Sequence, residues 1–362
     1  MSRMHKPMDR PTRDRSHKER APAERPGSEH PAKAGSAPGS TPGAPGNAGL
    51  PARQPSIALA LGGGGARGLA HIQILEAFDE LGVRPKIIAG TSIGAVFAGA
   101  YASGLTGREI RIHTQDVLKK RLDLVRDLYS ARVRSSRRIW NVFTARSAFL
   151  APDRLLDIIL PPTIARDFAH LKIPLKIVAS DFYAQEPVVF TSGALRQAIA
   201  ASMALPVIFE PVVVGGRVLI DGGLVNPLPF DLLNGEADIT VAVDVSGAPV
   251  RRPDQMTPKA WETLFASNFI FERTIIREKL KSRHPDVYID AGTSRFQILD
   301  FLKLDEILEA AAPAKERLKQ QLARVLQAET LEAIEAPPAV VEVSPPKRKR
   351  RPILNRARSP KS

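Results

Sequence analysis

The sequence has no cysteine, few aromatic residues (6 %) and no long apolar run in its 362 residues. Without cysteine there is no disulfide framework, no thiolate-bound zinc or iron–sulfur centre and no cysteine nucleophile. The same absence fits a reducing compartment. No stretch approaches the roughly 18 apolar residues of a membrane-spanning helix, and residues 1–55 lack the apolar core of a signal peptide. The expectation is a soluble, cytoplasmic protein whose membrane contact is at most peripheral.

Charge of one sign is in excess, with 52 Lys and Arg against 38 Asp and Glu and a formal charge of +14. Such a balance invites a nucleic-acid reading. Its distribution argues otherwise, because residues 1–55 carry +5 and residues 337–362 carry +7, which leaves +2 for residues 56–336. The first segment holds ten prolines and six glycines among Ser, Ala and scattered charge, a composition too poor in apolar surface to offset chain entropy. The last holds Pro337-Pro338, Pro345-Pro346 and the run Lys347-Arg348-Lys349-Arg350-Arg351. That run looks like a nuclear-import signal but reads better as a solvated tail or a tether to an anionic surface. The expected organisation is a disordered basic tail over 1–55, one domain over 56–336 and a second disordered basic tail over 337–362, with no specific nucleic-acid site.

Within the middle, short apolar runs at Ile57–Leu61, Lys86–Ala89, Leu175–Ala179, Val218–Ile220 and Ile239–Val245 read as strands. From Ala66 to Leu81, Leu69, Ile72, Leu75, Ala77 and Phe78 fall near helical spacing, and Gly82 supplies a C-terminal stop. Strand, helix and strand in close succession make a βαβ unit. Several such units predict an α/β fold with a mainly parallel sheet covered by helices.

Two glycine turns follow the first two strands. The first, Gly62-Gly63-Gly64-Gly65-Ala66-Arg67-Gly68, contains the G-x-G-x-x-G string of dinucleotide-binding folds. That reading wants an acid at the end of the second strand, where this chain has Gly90-Thr91-Ser92-Ile93-Gly94 instead. A dinucleotide-binding oxidoreductase remains the weaker alternative. Gly-x-Ser-x-Gly between an apolar strand and a small-residue helix is a nucleophile elbow, with Ser92 as nucleophile and Gly90, Thr91, Ile93 and Gly94 forming the turn. The plain alternative is a glycine turn with a capping serine. The first glycine run can turn backbone N–H groups toward one point, and Gly64 and Gly65 are the best oxyanion donors in it.

A serine nucleophile needs a base. His71, His113, His170 and His284 read as surface or core histidines, although His284 follows Asp221 and so permits a Ser–Asp–His order. Asp221, in Leu219-Ile220-Asp221-Gly222-Gly223, ends an apolar run and opens a third glycine turn. A buried carboxylate held against the serine can take its proton directly. An Asp-Gly hairpin is the structural alternative.

Taken in order, Gly62 to Gly68, Gly90 to Ala95, Ala201-Ser202-Met203-Ala204-Leu205-Pro206-Val207-Ile208-Phe209, Asp221-Gly222-Gly223 and Asn226-Pro227-Leu228-Pro229 resemble the patatin-like phospholipases over roughly residues 56–245. The resemblance implies a three-layer α/β/α sandwich and a Ser–Asp dyad that hydrolyses acyl esters of lipids without metal or cofactor. Carried over by position, Ser92 is the nucleophile, Asp221 the base, and Gly63, Gly64, Gly65, Ala66, Arg67 and Gly68 the oxyanion loop. Arg67 either orders that loop or counters substrate charge. Gly222 and Gly223 complete the acid motif. Residues 122–150 set Arg132, Arg134, Arg137 and Arg138 beside Ile139, Trp140, Val142, Phe143 and Phe149. That mixture suits either an anionic membrane surface or a charged helix packed on the core. Glu262–Lys281 and Asp305–Glu335 read as helices.

Overall fold

The computed structural model describes residues 54–120, 151–248, 257 and 260–335. The expectations for the basic tails and for residues 122–150 therefore lie outside the described residues, apart from the short approach to the first strand.

Among the described residues, eight strands form one sheet: β1 (Ile57–Leu61), β2 (Ile87–Thr91), β3 (Leu175–Asp181), β4 (Pro187–Phe190), β5 (Val212–Val214), β6 (Arg217–Asp221), β7 (Ile239–Asp244) and β8 (Val287–Asp290). The body of the sheet is parallel, with β1 between β2 and β7, β3 beyond β2, and β8 beyond β7. Successive side chains of a strand point to opposite faces, and β1 uses both. Ile57, Leu59 and Leu61 enter the larger core, whereas Ala58 and Ala60 enter the smaller one.

Over the larger core lie α1 (His71–Glu80), α2 (Ile93–Ala102), α3 (Gly107–Lys120), α4 (Pro152–Ile159), α5 (Leu195–Ser202) and α7 (Leu304–Glu335). The opposite face is covered by the 3-10 turn Pro229–Leu233 and by α6 (Ala260–Ser282), which bring Phe230, Leu233 and Ile276 onto the small alanines of the sheet. Two helical layers around one mostly parallel sheet make the three-layer α/β/α sandwich. The segment read as one helix from Ala66 starts as a 3-10 turn, Gly65–Ala70, before α1. This tight turn brings Gly68 against the Ile93 side chain. As expected, α1 stops at Gly82, where the Val83 N–H closes on the Phe78 carbonyl.

One departure from parallel order positions the site. Val178 pairs with both Thr91 and Val189, and Ala179 pairs with both Val188 and Asp221. A strand residue has only two flanks, so β4 occupies one flank of β3 while β2 and the antiparallel β6 share the other, end to end. Thr91 and Asp221 thus stand opposite consecutive residues of β3. The chain leaves this junction through close approaches that a side chain would block: a Cβ at Gly222 would collide with the Val178 carbonyl, and one at Gly94 with the Leu61 carbonyl.

Gly94→Ala is expected to destabilise the protein by about 1–3 kcal/mol, the usual range for overpacking, visible as a lowered Tm in a thermal melt. An unchanged Tm would mean that the elbow tolerates the extra methyl.

Candidate active site

Ser92 follows β2 and caps α2 with φ 55° and ψ −124°, a backbone conformation that non-glycine residues rarely adopt. The turn lifts its hydroxyl off the sheet at the carboxyl ends of the parallel strands. Ser92 Oγ donates to Asp221 Oδ2 at 2.6 Å, and Asp221 Oδ1 accepts from the Gly223 N–H at 2.7 Å. Burial pushes the Asp221 carboxyl up to about 6, and these two hydrogen bonds oppose that rise.

The backbone of the pair is held from below. Ser202, at the end of α5, accepts from the Ser92 N–H at 2.8 Å and donates to the Val178 carbonyl at 2.6 Å. The Asp221 N–H donates to Ala204, and its carbonyl accepts from Ser180 Oγ at 2.7 Å. Thr91 Oγ1 donates to the Asn226 carbonyl at 2.8 Å, and the Asn226 side chain is tied to Asp231 and Lys279. The ties of Ser202 to Ser92, Ala204 to Asp221 and Asn226 to Thr91 each join one motif to another, and Val178 and Ser180 anchor them to β3.

The glycine run of β1 reaches the same place because β1 and β2 are adjacent and parallel. A Cβ on Gly63 would touch Ser92 Cβ at 3.3 Å, and one on Gly90 would press on the first turn of α2. The N–H groups of this run are not equivalent. Gly63 already donates to the Pro227 carbonyl and Ala66 to that of Ile298. Those of Gly64 and Gly65 meet no acceptor among the described residues, which leaves them as the loop's available donors.

Arg67 is buried, with Nε donating to the Gly64 carbonyl at 3.1 Å and the guanidinium stacked 4.2 Å from the Phe269 ring centroid. It braces the glycine loop from behind. Burial lowers its pKa to about 10, against the attraction of Glu272, Asp244 and Asp300, so it stays charged at neutral pH. Its enclosure removes it from contact with a substrate's charge in this conformation.

Sequence reasoning missed Glu272. From α6 it reaches over Gly223, where a Cβ would meet Glu272 Oε1 at 2.9 Å and Asp221 Oδ1 at 3.1 Å. Burial first, then repulsion from Asp221, raises Glu272 to about 8, with Arg67 opposing. A glutamate in a charged amphipathic helix carries no signal of burial, whereas Ser202 and Asn226 lay in stretches already singled out, without a role.

The histidine alternative fails on position. His284 is exposed just before β8, at the amino-terminal edge of the sheet opposite Ser92. His71 Nε2 donates to the Gly62 carbonyl at 2.9 Å, His113 bonds the Ile159 carbonyl, and His170 pairs with Asp167 on the surface. The dinucleotide reading loses its anchor as well, since β2 ends in Thr91, whose hydroxyl is committed to Asn226.

The family model for patatin-like phospholipases matches residues 59–234. An uncharacterised NTE family protein of Mycobacterium tuberculosis is 35% identical over 212 residues, covering 57% of this chain and 54% of that protein. Patatin-like phospholipase domain-containing protein 7 of Rattus norvegicus is 28% identical over 280 residues, covering 70% of this chain and 20% of that protein. The chain thus spans about half or less of the length of these relatives. Among solved structures, VipD from Legionella pneumophila is similar at 15% identity with a TM-score of 0.39, over 74% of this chain and 67% of that one.

Ser202→Ala leaves the part-buried Ser92 N–H and the buried Val178 carbonyl without this partner and is expected to cost about 1–3 kcal/mol in urea unfolding. For Glu272, the raised folded-state pKa means that ionisation penalises the fold as pH rises from the ordinary glutamate range through about 8. Glu272→Gln should therefore raise Tm at pH 9, with the gain shrinking toward pH 5. An equal gain at both pH values would remove the ionisation argument.

Proposed function

Because the chain belongs to the patatin-like phospholipase family through residues 59–234, we propose that it is a serine lipid acyl hydrolase working through Ser92 and Asp221. The observation that carries this reading is the 2.6 Å hydrogen bond from Ser92 Oγ to a buried carboxylate beside two amides with no acceptor among the described residues.

In the proposed reaction Asp221 Oδ2 takes the Ser92 proton as Oγ attacks the acyl carbonyl carbon. The developing oxyanion is met by the Gly64 and Gly65 N–H groups, and the amino terminus of α2 points at the same charge. As the tetrahedral intermediate collapses, Asp221 returns the proton to the leaving alcohol and an acyl ester forms on Ser92. Water then attacks that ester, giving one proton to Asp221, and the collapse returns it to Ser92 Oγ as the fatty acid departs. Neither half of the cycle calls on a metal or cofactor. Burial matters to the base: a carboxylate near 6 is a stronger base than a solvated one yet is still ionised at neutral pH.

Three outcomes follow for purified protein. Ser92→Ala and Asp221→Asn should each lower hydrolysis of p-nitrophenyl butyrate by at least about 10³-fold; retention of parental rates by either variant would overturn the dyad. The parental kcat/KM should fall about tenfold per pH unit below about pH 6, because protonated Asp221 cannot act as base. Asp221→Asn should also melt higher than the parent at pH 8 and lose that advantage below pH 4. A raised carboxyl pKa destabilises the fold only where the group is ionised.

A further inference from the structure

The reaction above leaves one buried acid beside its base unused. Phe269 and Glu272 stand three residues apart on α6 and so share a face of the helix. Phe269 meets the Arg67 guanidinium, whose Nε holds the Gly64 carbonyl. Glu272 reaches the acid turn instead. Its Oε1 and Asp221 Oδ1 flank one point, at 2.9 Å and 3.1 Å from where a Cβ on Gly223 would stand. The missing side chain at 223 is what lets two carboxyls crowd the same turn.

Glu272 is poorly served as an anion there. Its buried Oε2 has no hydrogen-bond partner among the described residues. The charged groups that face it are Asp221 at the end of β6, Arg67 behind the glycine loop and Asp244 at the end of β7. One cation against two acids cannot offset the loss of water, so Glu272 keeps its proton up to about pH 8.

We propose that Glu272 is a positioning residue for the base: a second carboxyl that stays neutral while Asp221 alone is charged, and whose ionisation strengthens Asp221 as a base. The role in turnover rests on the Ser92–Asp221 reading, but the carboxyl pair can be tested without turnover. As Ser92 attacks, negative charge leaves Asp221 for the oxyanion at Gly64 and Gly65. A charge on Glu272 bears on Asp221 directly and on the glycine loop only across the Arg67 cation, so it drives that transfer forward. A base strengthened by one pKa unit takes the serine proton about threefold faster.

The full chain is assayed on p-nitrophenyl butyrate from pH 5 to pH 10, with spontaneous hydrolysis subtracted. The leaving group needs no proton from Asp221, so kcat/KM reports the attack. Above the limb set by Asp221, the parental profile should rise a second time, about threefold, through about pH 8. Glu272→Gln should keep the first limb and lose the second rise, which a residue that merely fills space would not change. Thermal melts at pH 9 read the pair without turnover. The Tm gain from Glu272→Gln should be at least about 2 °C smaller in an Asp221→Asn background than in the parent, because the repulsion it relieves is already gone. That smaller gain supports the pair even if no ester is cleaved, in which case the hydrolase reading falls alone. Equal gains in the two backgrounds overturn the proposal, as does a second rise that is absent from an active parent or survives in Glu272→Gln.

Discussion

The whole site depends on the register along β3. Thr91 and Asp221 are held opposite Val178 and Ala179 by strands that run in opposite directions and meet end to end. Thr91 and Asp221 are thereby fixed opposite consecutive residues of one strand, and the 2.6 Å hydrogen bond between Ser92 and Asp221, 129 positions apart in the chain, follows from sheet geometry more than from any flexible side-chain search. The consequence is that both chains must leave the sheet at once, in almost no space. The glycines at 94 and 222 answer that crowding, since each passes a backbone carbonyl that a Cβ would strike. Ser202 then ties the departing Ser92 amide back to Val178, the same residue of β3 that sets the register.

Around this junction the fold maintains conditions that a free chain would abandon. Ser92 stays in a sparsely populated backbone region, a cost of about 1–3 kcal/mol. Asp221 and Glu272 are carboxyls taken from water, and Arg67 is a buried cation with one nitrogen, Nη2, that has no hydrogen-bond partner among the described residues. These costs are tolerable because the groups moderate one another. Arg67 opposes the rise of the Glu272 pKa, but burial and the repulsion of Asp221 outweigh it and leave Glu272 protonated at neutral pH. The charge of Asp221 is thus kept available instead of being shared across the cluster.

How much of this was legible in the sequence depends on whether the backbone or the side chains carried the requirement. Glycines at 64, 65, 90, 94 and 222 mark places where the backbone has no alternative, so both turns and the acid motif stood out, and the parallel strands announced themselves as apolar runs. The direction of β6 did not. Val218–Ile220 reads the same forwards or backwards, and only the short β5 before it and the pairing with β3 show that it runs against its neighbours. The half-exposed β4, the three-residue β5 and the short β8 carry too little periodicity to register. Glu272 was invisible for the opposite reason. Its burial is produced by Phe269 and Ile276 on the same face of α6, docking on Arg67 and the small alanines of the sheet, and charge alone gives no hint of it.

A single helix joins the proposed nucleophile to an apolar cavity beside α3. All ten residues of α2 are buried, so it presents no solvent face and every position has a neighbour to satisfy. Gly94 passes β1, Ala95 lies against Gly90 of β2, and Gly99 meets Ile199 of α5, all at small residues. Of the larger residues, Ile93, Val96 and Phe97 form the stripe beside the cavity, whereas Tyr101 is turned to Asp79 and Arg84. The rotation of the helix that aims the Ser92 hydroxyl at Asp221 is the same rotation that aims this stripe at α3. Nucleophile position and cavity shape cannot drift apart in such an arrangement, because a turn of α2 that moved one would drive Gly94 into the Leu61 carbonyl before it reached the other.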